Sequence, residues 1–288
     1  MLGGNEKMYT NFIPILKEAD NLNYTVGAFN THGLEMLPDI IMAAYEEGMP
    51  IIIQTSVDTA KYIGYKNLVA ICSNMADEYM VDVTLHLDHA RNFDDIKDAI
   101  DAGYSSVMFD GSNLSFKENI MKTKRVVEYA HKRGVSVEGE LGTIGGTEEG
   151  ICVKEDEKVY TNPEDVKIFV ELTGVDALAV GIGTNHGQFK SKTKINFELL
   201  KEIHDKVDIP LVIHGGTGVN EDDIPKLIKY GIRKFNVGTE LLVAWTKEAI
   251  SNFENTKLNK SLRYNIIPCN KSVKDVVKNK IKVFRDSK

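Results

Sequence analysis

The sequence has few cysteines and no long apolar segment. Its three cysteines, Cys72, Cys152 and Cys269, lie far apart and form no Cys-x-x-Cys pair. A disulfide framework is therefore not expected, and a reducing cytoplasm is the expected compartment. No apolar run approaches the ~20 residues that a membrane span needs, and the first residues lack the apolar core of a signal peptide. We expect a cytoplasmic protein without a membrane partner.

Basic charge is also scarce, because 35 Lys and Arg residues face 42 Asp and Glu residues and give a formal net charge of −7. No global basic field is present to attract nucleic acid, so a phosphate ligand would need backbone amides and a few local cations. The chain also lacks a linker rich in Pro, Gly or Ser. We expect one domain over residues 1–288, with Met8 as an alternative start that would make residues 1–7 a disordered extension.

Eight short apolar segments alternate with amphipathic segments of helical length. The predicted strands are Tyr24–Asn30, Pro50–Ser56, Asp82–His89, Ser105–Asp110, Val135–Leu141, Ala177–Thr184, Pro210–His214 and Ile232–Val237. The predicted helices are 34–47, 65–79, 92–102, 116–133, 163–173, 196–206, 221–230 and 239–253. Because every connection is then a crossover, the strands should be parallel.

The length of 288 residues suits one closed (β/α)8 TIM barrel, for which roughly 250 residues is typical. Two ordinary domains would also fit the length alone. The regular alternation favours the α/β barrel. Residues 255–288 extend beyond the eighth unit as a C-terminal tail, in which 272–284 has the pattern of an amphipathic helix.

Polar residues gather at the C-terminal ends of the predicted strands, where TIM barrels carry their active sites. His89, His186 and His214 occupy the ends of the third, sixth and seventh strands. Neutral imidazoles suit zinc, and three of them leave a position open for a substrate. The sequence therefore predicts a zinc site, and three separately hydrogen-bonded histidines are the alternative.

Carboxylates accompany these histidines. Asp88 lies at a strand end, where it suits a general acid or base, or an anchor for a neighbouring side chain. Glu138 and Glu140 share one face of a strand, and inward carboxylates must be paired or metal-bound. Asp110 and Glu140 could therefore hold a second cation or steady the histidines. His86 shares the face of Asp88 and is expected either to orient a neighbour or to be an ordinary core residue.

Glycine-rich segments follow the last two predicted strands. His214-Gly-Gly-Thr-Gly218 precedes a helix near Asn220, and Asn236-Val-Gly-Thr239 runs into a helix near Thr239. Glycines let the backbone approach a ligand, and helix N-termini present free amides to anions. Phosphate commonly binds barrels after the seventh and eighth strands. We expect a phosphate site here, with ordinary turns as the alternative.

Five segments resemble, in order and spacing, the class II fructose-bisphosphate and tagatose-bisphosphate aldolases. They are His86-Leu-Asp-His89, Glu138-Gly-Glu-Leu-Gly142 with Gly145-Gly146, Gly183-Thr-Asn-His-Gly187, Leu211-Val-Ile-His-Gly-Gly-Thr-Gly218 and Asn236-Val-Gly-Thr239. The resemblance extends over essentially the whole chain. It implies a zinc-dependent aldehyde-lyase of glycolysis or related carbohydrate metabolism. This enzyme would reversibly cleave a ketose 1,6-bisphosphate, fructose first and tagatose second, to dihydroxyacetone phosphate and glyceraldehyde 3-phosphate.

The resemblance implies roles for individual residues. Asp88 matches the acid/base on the C4 hydroxyl, and Glu148 matches a mobile glutamate that moves a proton at the enediolate carbon, with Glu149 as its rival. The residues matched to metal sites are His89, His186 and His214 for zinc, and Asp110 and Glu140 for a second divalent cation. The residues matched to substrate binding are Asn30, Ser56, Gly187, Gly215, Gly216, Thr217, Asn236, Val237, Gly238, Thr239 and Arg263.

The resemblance also implies a homodimer or homotetramer, in which Arg263 reaches the substrate of a neighbouring subunit, and it suggests a monovalent cation (Na+ or K+). The family usually has Asp-Pro before this arginine, whereas Ser261-Leu262 stands here. Asn30 and Ser56 could instead satisfy a strand end or cap a helix. Relatives that act on different substrates differ over Val57–Gly64.

Three other functions stay open at this stage. One is the related 6-phospho-5-dehydro-2-deoxy-gluconate aldolase of inositol breakdown, and another is a non-catalytic sugar-phosphate sensor. The third is a Schiff-base aldolase, which needs a lysine inside the barrel. Lys234 lies near the start of the eighth strand, not at a C-terminal end.

Overall fold

The structure is a computed structural model. It describes residues 8–143, 145–148, 151–153, 159–186, 194–255 and 261–287, and the description is confined to the backbone at 145–148, 151–153, 186 and 255. The expected N-terminal extension, residues 1–7, lies outside the described residues.

Eight parallel strands close a barrel. The barrel strands are β1 (Val26–Asn30), β2 (Ile51–Thr55), β3 (Val83–Ala90), β4 (Ser106–Phe109), β5 (Ser136–Leu141), β8 (Ala177–Val180), β10 (Leu211–Ile213) and β11 (Ile232–Val237). Strands β6 (Gly145–Glu148), β7 (Ile151–Val153) and β9 (Asn185–His186) lie outside the barrel. Around the barrel the order is β1-β11-β10-β8-β5-β4-β3-β2. The predicted (β/α)8 barrel is confirmed.

Helices connect the barrel strands, and most of them cover the outside of the barrel. They are α1 (Phe12–Leu22), α2 (Leu37–Glu47), α3 (Val57–Ile63), α4 (Tyr65–Tyr79), α5 (Phe93–Ala102), α6 (Phe116–His131), α7 (Pro163–Thr173), α8 (Phe197–His204), α9 (Ile224–Lys229), α10 (Thr239–Asn255) and α11 (Arg263–Asp286). Side-chain caps fix several starts, such as the capping box of Ser115 and Glu118 at α6. Within the described part of the chain, no helix is long and apolar enough to cross a membrane.

Helix α1 precedes the first strand and was not predicted. Its residues Phe12, Leu16 and Ala19 are fully buried, and they pack with barrel-interior side chains such as Val26 and Val212. The helix therefore fills the N-terminal end of the barrel, and the C-terminal end remains for a substrate.

The sixth predicted strand, Ala177–Thr184, is interrupted. Strand β8 ends at Val180, and β9 pairs instead with β6, which pairs antiparallel with β7. Gly183 lies between the two halves with φ +105, and a Cβ there would come 2.5 Å from the carbonyl oxygen of Lys194. The segment between β5 and α7, where no strand was predicted, thus contributes β6 and β7 to a small three-stranded sheet, which β9 with His186 completes.

The C-terminal helix is longer than predicted. Helix α11 begins at Arg263 instead of residue 272 and packs against α10 and α2. The ring of Phe284 lies 4.7 Å from that of Phe235 in β11, centroid to centroid. Lys278 also pairs with Glu46 of α2 at 2.8 Å. These contacts hold the tail against the barrel.

Candidate metal centre and active site

The C-terminal ends of β3 and β10 bring His89 and His214 together. Nε2 of His89 lies 2.8 Å from Nδ1 of His214, so one nitrogen of each ring points to the same small volume. Asp88 joins them, because ligand atoms of the three residues lie within 4.8 Å of one another. Two of the three predicted zinc ligands therefore converge next to the predicted acid/base.

An irregular backbone allows Asp88 and His89 to serve the same site. Successive residues of a regular strand point to opposite faces. Here the β3–β4 register shifts between Leu87 and Ala90, and His89 has φ 46. Such left-handed conformations cost a non-glycine residue about 1–3 kcal/mol and cluster at functional sites. The bulge therefore accounts for the convergence of two neighbouring side chains.

A buried ion pair supports His214 from below. Nε2 of His214 lies 2.8 Å from Oε1 of Glu138, and Nζ of Lys234 lies 2.9 Å from the other oxygen. All three side chains are fully buried. Histidines that bind metals commonly donate their second ring nitrogen to a carboxylate in this way. Sequence reasoning placed Glu138 on the inner face but missed its contacts with His214 and Lys234.

The charges of this group favour a neutral His214. Burial alone would raise the pKa of Glu138, but the charge of Lys234 and the hydrogen bond with His214 outweigh it and hold that pKa well below its usual range. Burial, followed by the charge of His89, lowers the pKa of His214. An ionised Glu138 can only accept, so Nε2 of His214 donates and Nδ1 carries the lone pair that a cation would need. In the structure this Nδ1 also lies 3.3 Å from Nδ2 of Asn236.

Two amides hold Asp88. Its Oδ2 accepts hydrogen bonds from Nδ2 of Asn30 at 3.2 Å and from Nε2 of Gln54 at 3.0 Å. Nε2 of Gln54 also lies 2.8 Å from Oδ1 of Asn30. The other oxygen of Asp88, Oδ1, is buried and has no hydrogen-bond partner among the described residues. A carboxylate held on one side and unsatisfied on the other suits proton exchange with a bound hydroxyl.

Gln54 was missed by sequence reasoning, although a signal was present. It follows three consecutive isoleucines, Ile51–Ile53, in a fully buried strand. A lone amide in such a run needs a polar partner inside the protein. The same argument applies to Lys234 within β11, which also donates to Oδ1 of Asn236 at 2.7 Å.

His86 lies deeper in the barrel, on the same strand as Asp88. Its Nδ1 is 2.7 Å from Oγ of Ser106, and its Nε2 is 3.6 Å from Oε2 of Glu138. Burial, followed by the charge of Lys234, lowers the pKa of His86 to about 3. The residue is therefore a neutral core histidine beneath the carboxylate that supports His214.

Asp110 and Glu140 lie on the other side of His89. Nδ1 of His89 is 3.5 Å from Oδ2 of Asp110 and 3.7 Å from Oε2 of Glu140. Burial would raise the pKa of Asp110, but His89, Ser112 and Arg91 outweigh it and lower that pKa. Burial and the neighbouring charge of Asp110 raise the pKa of Glu140.

The glycine-rich ends of β10 and β11 are neighbours in the barrel. Gly215 has φ +65, and a Cβ on it would come 2.3 Å from the carbonyl oxygen of Asn185. The turn Gly216–Gly218 follows, and Gly238 precedes the first residue of α10, Thr239. Free amides at the start of a 17-residue helix suit an anion. The predicted residues Gly215, Gly216, Thr217, Asn236, Val237, Gly238 and Thr239 all lie in these two segments.

Other predicted residues are seen only in part. The backbone of His186 pairs with Gly146, and Glu148 ends β6, but both side chains lie outside the description. Gly187 and Glu149 also lie outside the described residues.

Ser56 and Arg263 lie at helix starts. Oγ of Ser56 accepts from the backbone N–H of Thr59 at 3.1 Å and caps α3, as one of its two expected roles. Arg263 is exposed at the start of α11, where its guanidinium donates to Oγ of Ser261 at 3.3 Å and lies 5.2 Å from the ring centre of Tyr264.

A sequence model of one protein family, described as fructose-bisphosphate aldolase class-II, matches residues 10–288. The chain belongs to this family. The class II aldolase is 40% identical over 276 residues to the fructose-bisphosphate aldolase of Staphylococcus aureus (strain Mu50 / ATCC 700699), and the match covers 95% of this chain and 96% of the relative. It is therefore a carbon–carbon lyase.

Solved structures agree with this assignment. The YdjI aldolase from Escherichia coli K12 is similar at 33% identity and a TM-score of 0.83, over 96% of this chain and 97% of that one. Fructose-bisphosphate aldolase (Fba) from Campylobacter jejuni is similar at 25% identity and a TM-score of 0.81, over 94% and 93% of the two chains. Class II membership excludes the Schiff-base alternative, and Lys234 is already paired with Glu138.

Proposed function

We propose that this aldolase reversibly cleaves fructose 1,6-bisphosphate to dihydroxyacetone phosphate and glyceraldehyde 3-phosphate with a zinc ion held by His89, His186 and His214. The observation that carries the proposal is the unsatisfied Oδ1 of Asp88 beside the converging nitrogens of His89 and His214. The name of the 40% identical Staphylococcus aureus relative supports fructose as the sugar.

The donor atoms fit zinc. Two imidazole nitrogens already point to one volume, and the second nitrogen of each ring faces a carboxylate. This is the usual environment of a zinc-bound histidine. When bound, zinc supplies a Lewis acid that polarises a substrate carbonyl.

The protein's own groups account for the proton transfers. Oδ1 of Asp88 removes the proton of the C4 hydroxyl, C4 becomes the aldehyde carbon, and the C3–C4 bond breaks. The electron pair stays on C3, in conjugation with the C2 carbonyl, and Glu148 returns a proton to C3. Asn30 and Gln54 fix the orientation of Asp88 during this exchange, which is a positioning contribution to the rate.

The phosphate of the dihydroxyacetone half is proposed to bind the glycine-rich ends of β10 and β11, at Gly215–Thr217 and Asn236–Thr239. Gly187 and Ser56 are further proposed substrate contacts. Anchoring a phosphate far from the broken bond uses remote binding energy to align the reacting carbons.

Assembly and compartment are proposals of the same kind. A homodimer or homotetramer would let the exposed Arg263 reach the second phosphate in a neighbouring subunit. The described cysteines, Cys72 and Cys269, are free and buried, which agrees with a reducing cytoplasm. A monovalent cation (Na+ or K+) stays a prediction.

The test is a coupled triose-phosphate assay that compares fructose and tagatose 1,6-bisphosphate, with and without EDTA. We expect EDTA-sensitive cleavage with a higher kcat/KM for the fructose compound. A higher kcat/KM for tagatose 1,6-bisphosphate would make that compound the substrate in place of fructose 1,6-bisphosphate. If zinc-loaded protein cleaved neither compound, the proposal would be contradicted. In the latter case 6-phospho-5-dehydro-2-deoxy-gluconate is the next substrate to assay, and a protein inactive on all three would be a sensor.

A further inference from the structure

Arg91 follows the two functional residues of β3 and contacts Asp110. Its Nε lies 2.7 Å from Oδ2 of Asp110, and its Nη2 lies 2.6 Å from the same oxygen. The Asp110 side chain is 1% exposed and that of Arg91 is 35% exposed. The guanidinium therefore approaches from the mouth of the barrel and places a permanent positive charge on a buried carboxylate.

The other oxygen of Asp110 is occupied as well. Oδ1 accepts from the backbone N–H of Ser112 at 3.1 Å and from its hydroxyl at 2.6 Å. A carboxylate offers about four acceptor positions, and Arg91 and Ser112 together supply four donor contacts. Asp110 could bind a divalent cation only by giving up charge-assisted hydrogen bonds, and that cation would face the guanidinium.

This arrangement bears on the group His89, Asp110 and Glu140, whose ligand atoms lie within 4.8 Å of one another. Distance alone would admit a second metal ion there. The donors around Asp110 oppose the binding of this second ion, because the guanidinium of Arg91 already supplies a positive charge next to Asp110. Asp110 then remains a fixed negative charge beside Nδ1 of His89, at 3.5 Å.

We propose that Arg91 takes the place of a second metal ion in this aldolase, so that each chain binds one divalent cation, and that Arg91 positions His89 through Asp110. The inference rests on the proposed zinc centre. It makes Arg91 a positioning residue, because the guanidinium acts on the metal site only through the carboxylate that it holds.

The test counts metal ions. Enzyme stripped with a chelator is dialysed against excess Zn2+ and then against metal-free buffer, and zinc per chain is measured by inductively coupled plasma mass spectrometry. We expect one zinc per chain in the wild type and in Arg91→Lys, which keeps the charge, and two in Arg91→Gln. The matched control is Arg285→Gln, which removes an arginine of equal exposure (35%) that pairs with Asp286 at 2.8 Å. It should retain one zinc.

Two zinc ions in the wild type would overturn the inference and leave the proposed function intact, as would a single zinc in folded Arg91→Gln. A wild type that retains no zinc would contradict the proposed function, and the inference with it. A second measurement needs no variant. Wild-type enzyme saturated with Mn2+ should give the electron paramagnetic resonance spectrum of isolated ions, and the spectrum of a coupled Mn2+ pair would overturn the inference.

Discussion

The local geometry of single residues sets up the chemistry proposed for this aldolase. The Asp88-His89 pair was recognisable in the sequence, but its left-handed His89 backbone (φ 46) was not. Two neighbouring side chains of a strand can serve one site only if the backbone is irregular between them. The residue types at positions 87–90 do not predict that irregularity. The contacts of Gln54, Lys234 and Arg91 with Asp88, Glu138 and Asp110 were missed for a different reason, because these carboxylates come from other segments of the chain.

Asp88 is the residue on which turnover should depend most. Asp88→Ala removes the oxygen proposed to take the C4 hydroxyl proton, and we expect kcat to fall by about 10²–10⁴-fold. Zinc content, measured by mass spectrometry, should stay at the wild-type value because the histidines remain. Near-normal turnover would contradict the assigned role, and loss of zinc would make Asp88 a ligand.

Gln54 should matter through Asp88. Gln54→Met keeps the length of the side chain but removes the donor to Oδ2 of Asp88, so we expect kcat to fall about 10- to 100-fold with little change in KM. Steady-state kinetics on the fructose substrate measures both. Ile53→Val, on the adjacent buried residue, controls for disturbance of β2. Equal kcat values for Gln54→Met and Ile53→Val would show that Gln54 does not position Asp88 for catalysis.

His86 should make the protein sensitive to acid. Its pKa is lowered to about 3 in the folded chain, against about 6.5 when unfolded. Because the pKa of His86 is lower in the folded chain, the unfolded chain binds a proton first as the pH falls. The free energy of unfolding is therefore unaffected by His86 above pH 6.5 and decreases as the pH falls from 6.5 toward 3. The loss approaches about 1.4 kcal/mol per pH unit.

Urea unfolding of chelator-treated protein at pH 6.5, 5.5 and 4.5 measures this effect. The free energy of unfolding should fall more steeply for the wild type than for His86→Gln, which has no proton to bind. Parallel curves for the two proteins would show that His86 is not buried in its neutral form.

At the scale of secondary-structure elements, the sequence predicted the alternation of strands and helices. The elements that it did not predict were missed for physical reasons. Apolar residues of α1 at positions 12, 15, 16 and 19 follow the helical period, so its signal was present but lay before the first strand. The break after β8 depends on close backbone contact at Gly183, which only the folded chain reveals. The hairpin β6–β7 was hidden because its residues are mostly polar or glycine.

Helix α1 should contribute stability and leave catalysis unchanged. Leu16→Ala removes a fully buried side chain and should cost about 2–5 kcal/mol. Ile13→Ala, on the same helix but 43% exposed, should change stability by about 0.5 kcal/mol or less. Denaturant unfolding measures the difference, and kcat should be unaffected in both. Equal small losses would mean that α1 does not seal the barrel.

At the scale of the whole molecule, the closed barrel brings together residues that are distant in the sequence. His89 and His214 are separated by 125 positions, yet their ring nitrogens lie 2.8 Å apart. Equivalent strand ends meet around one axis, so sequence alone could group these residues. It could not reveal which carboxylate faces which histidine, because register and rotamers decide that.

The most direct test of the account is to locate the metal. Crystals of zinc-loaded enzyme should give one anomalous-diffraction peak per chain at the zinc absorption edge. We expect it about 2.0–2.1 Å from Nε2 of His89, Nδ1 of His214 and one ring nitrogen of His186. A peak bound by other residues, with His214 left on Glu138 alone, would contradict the proposed active site.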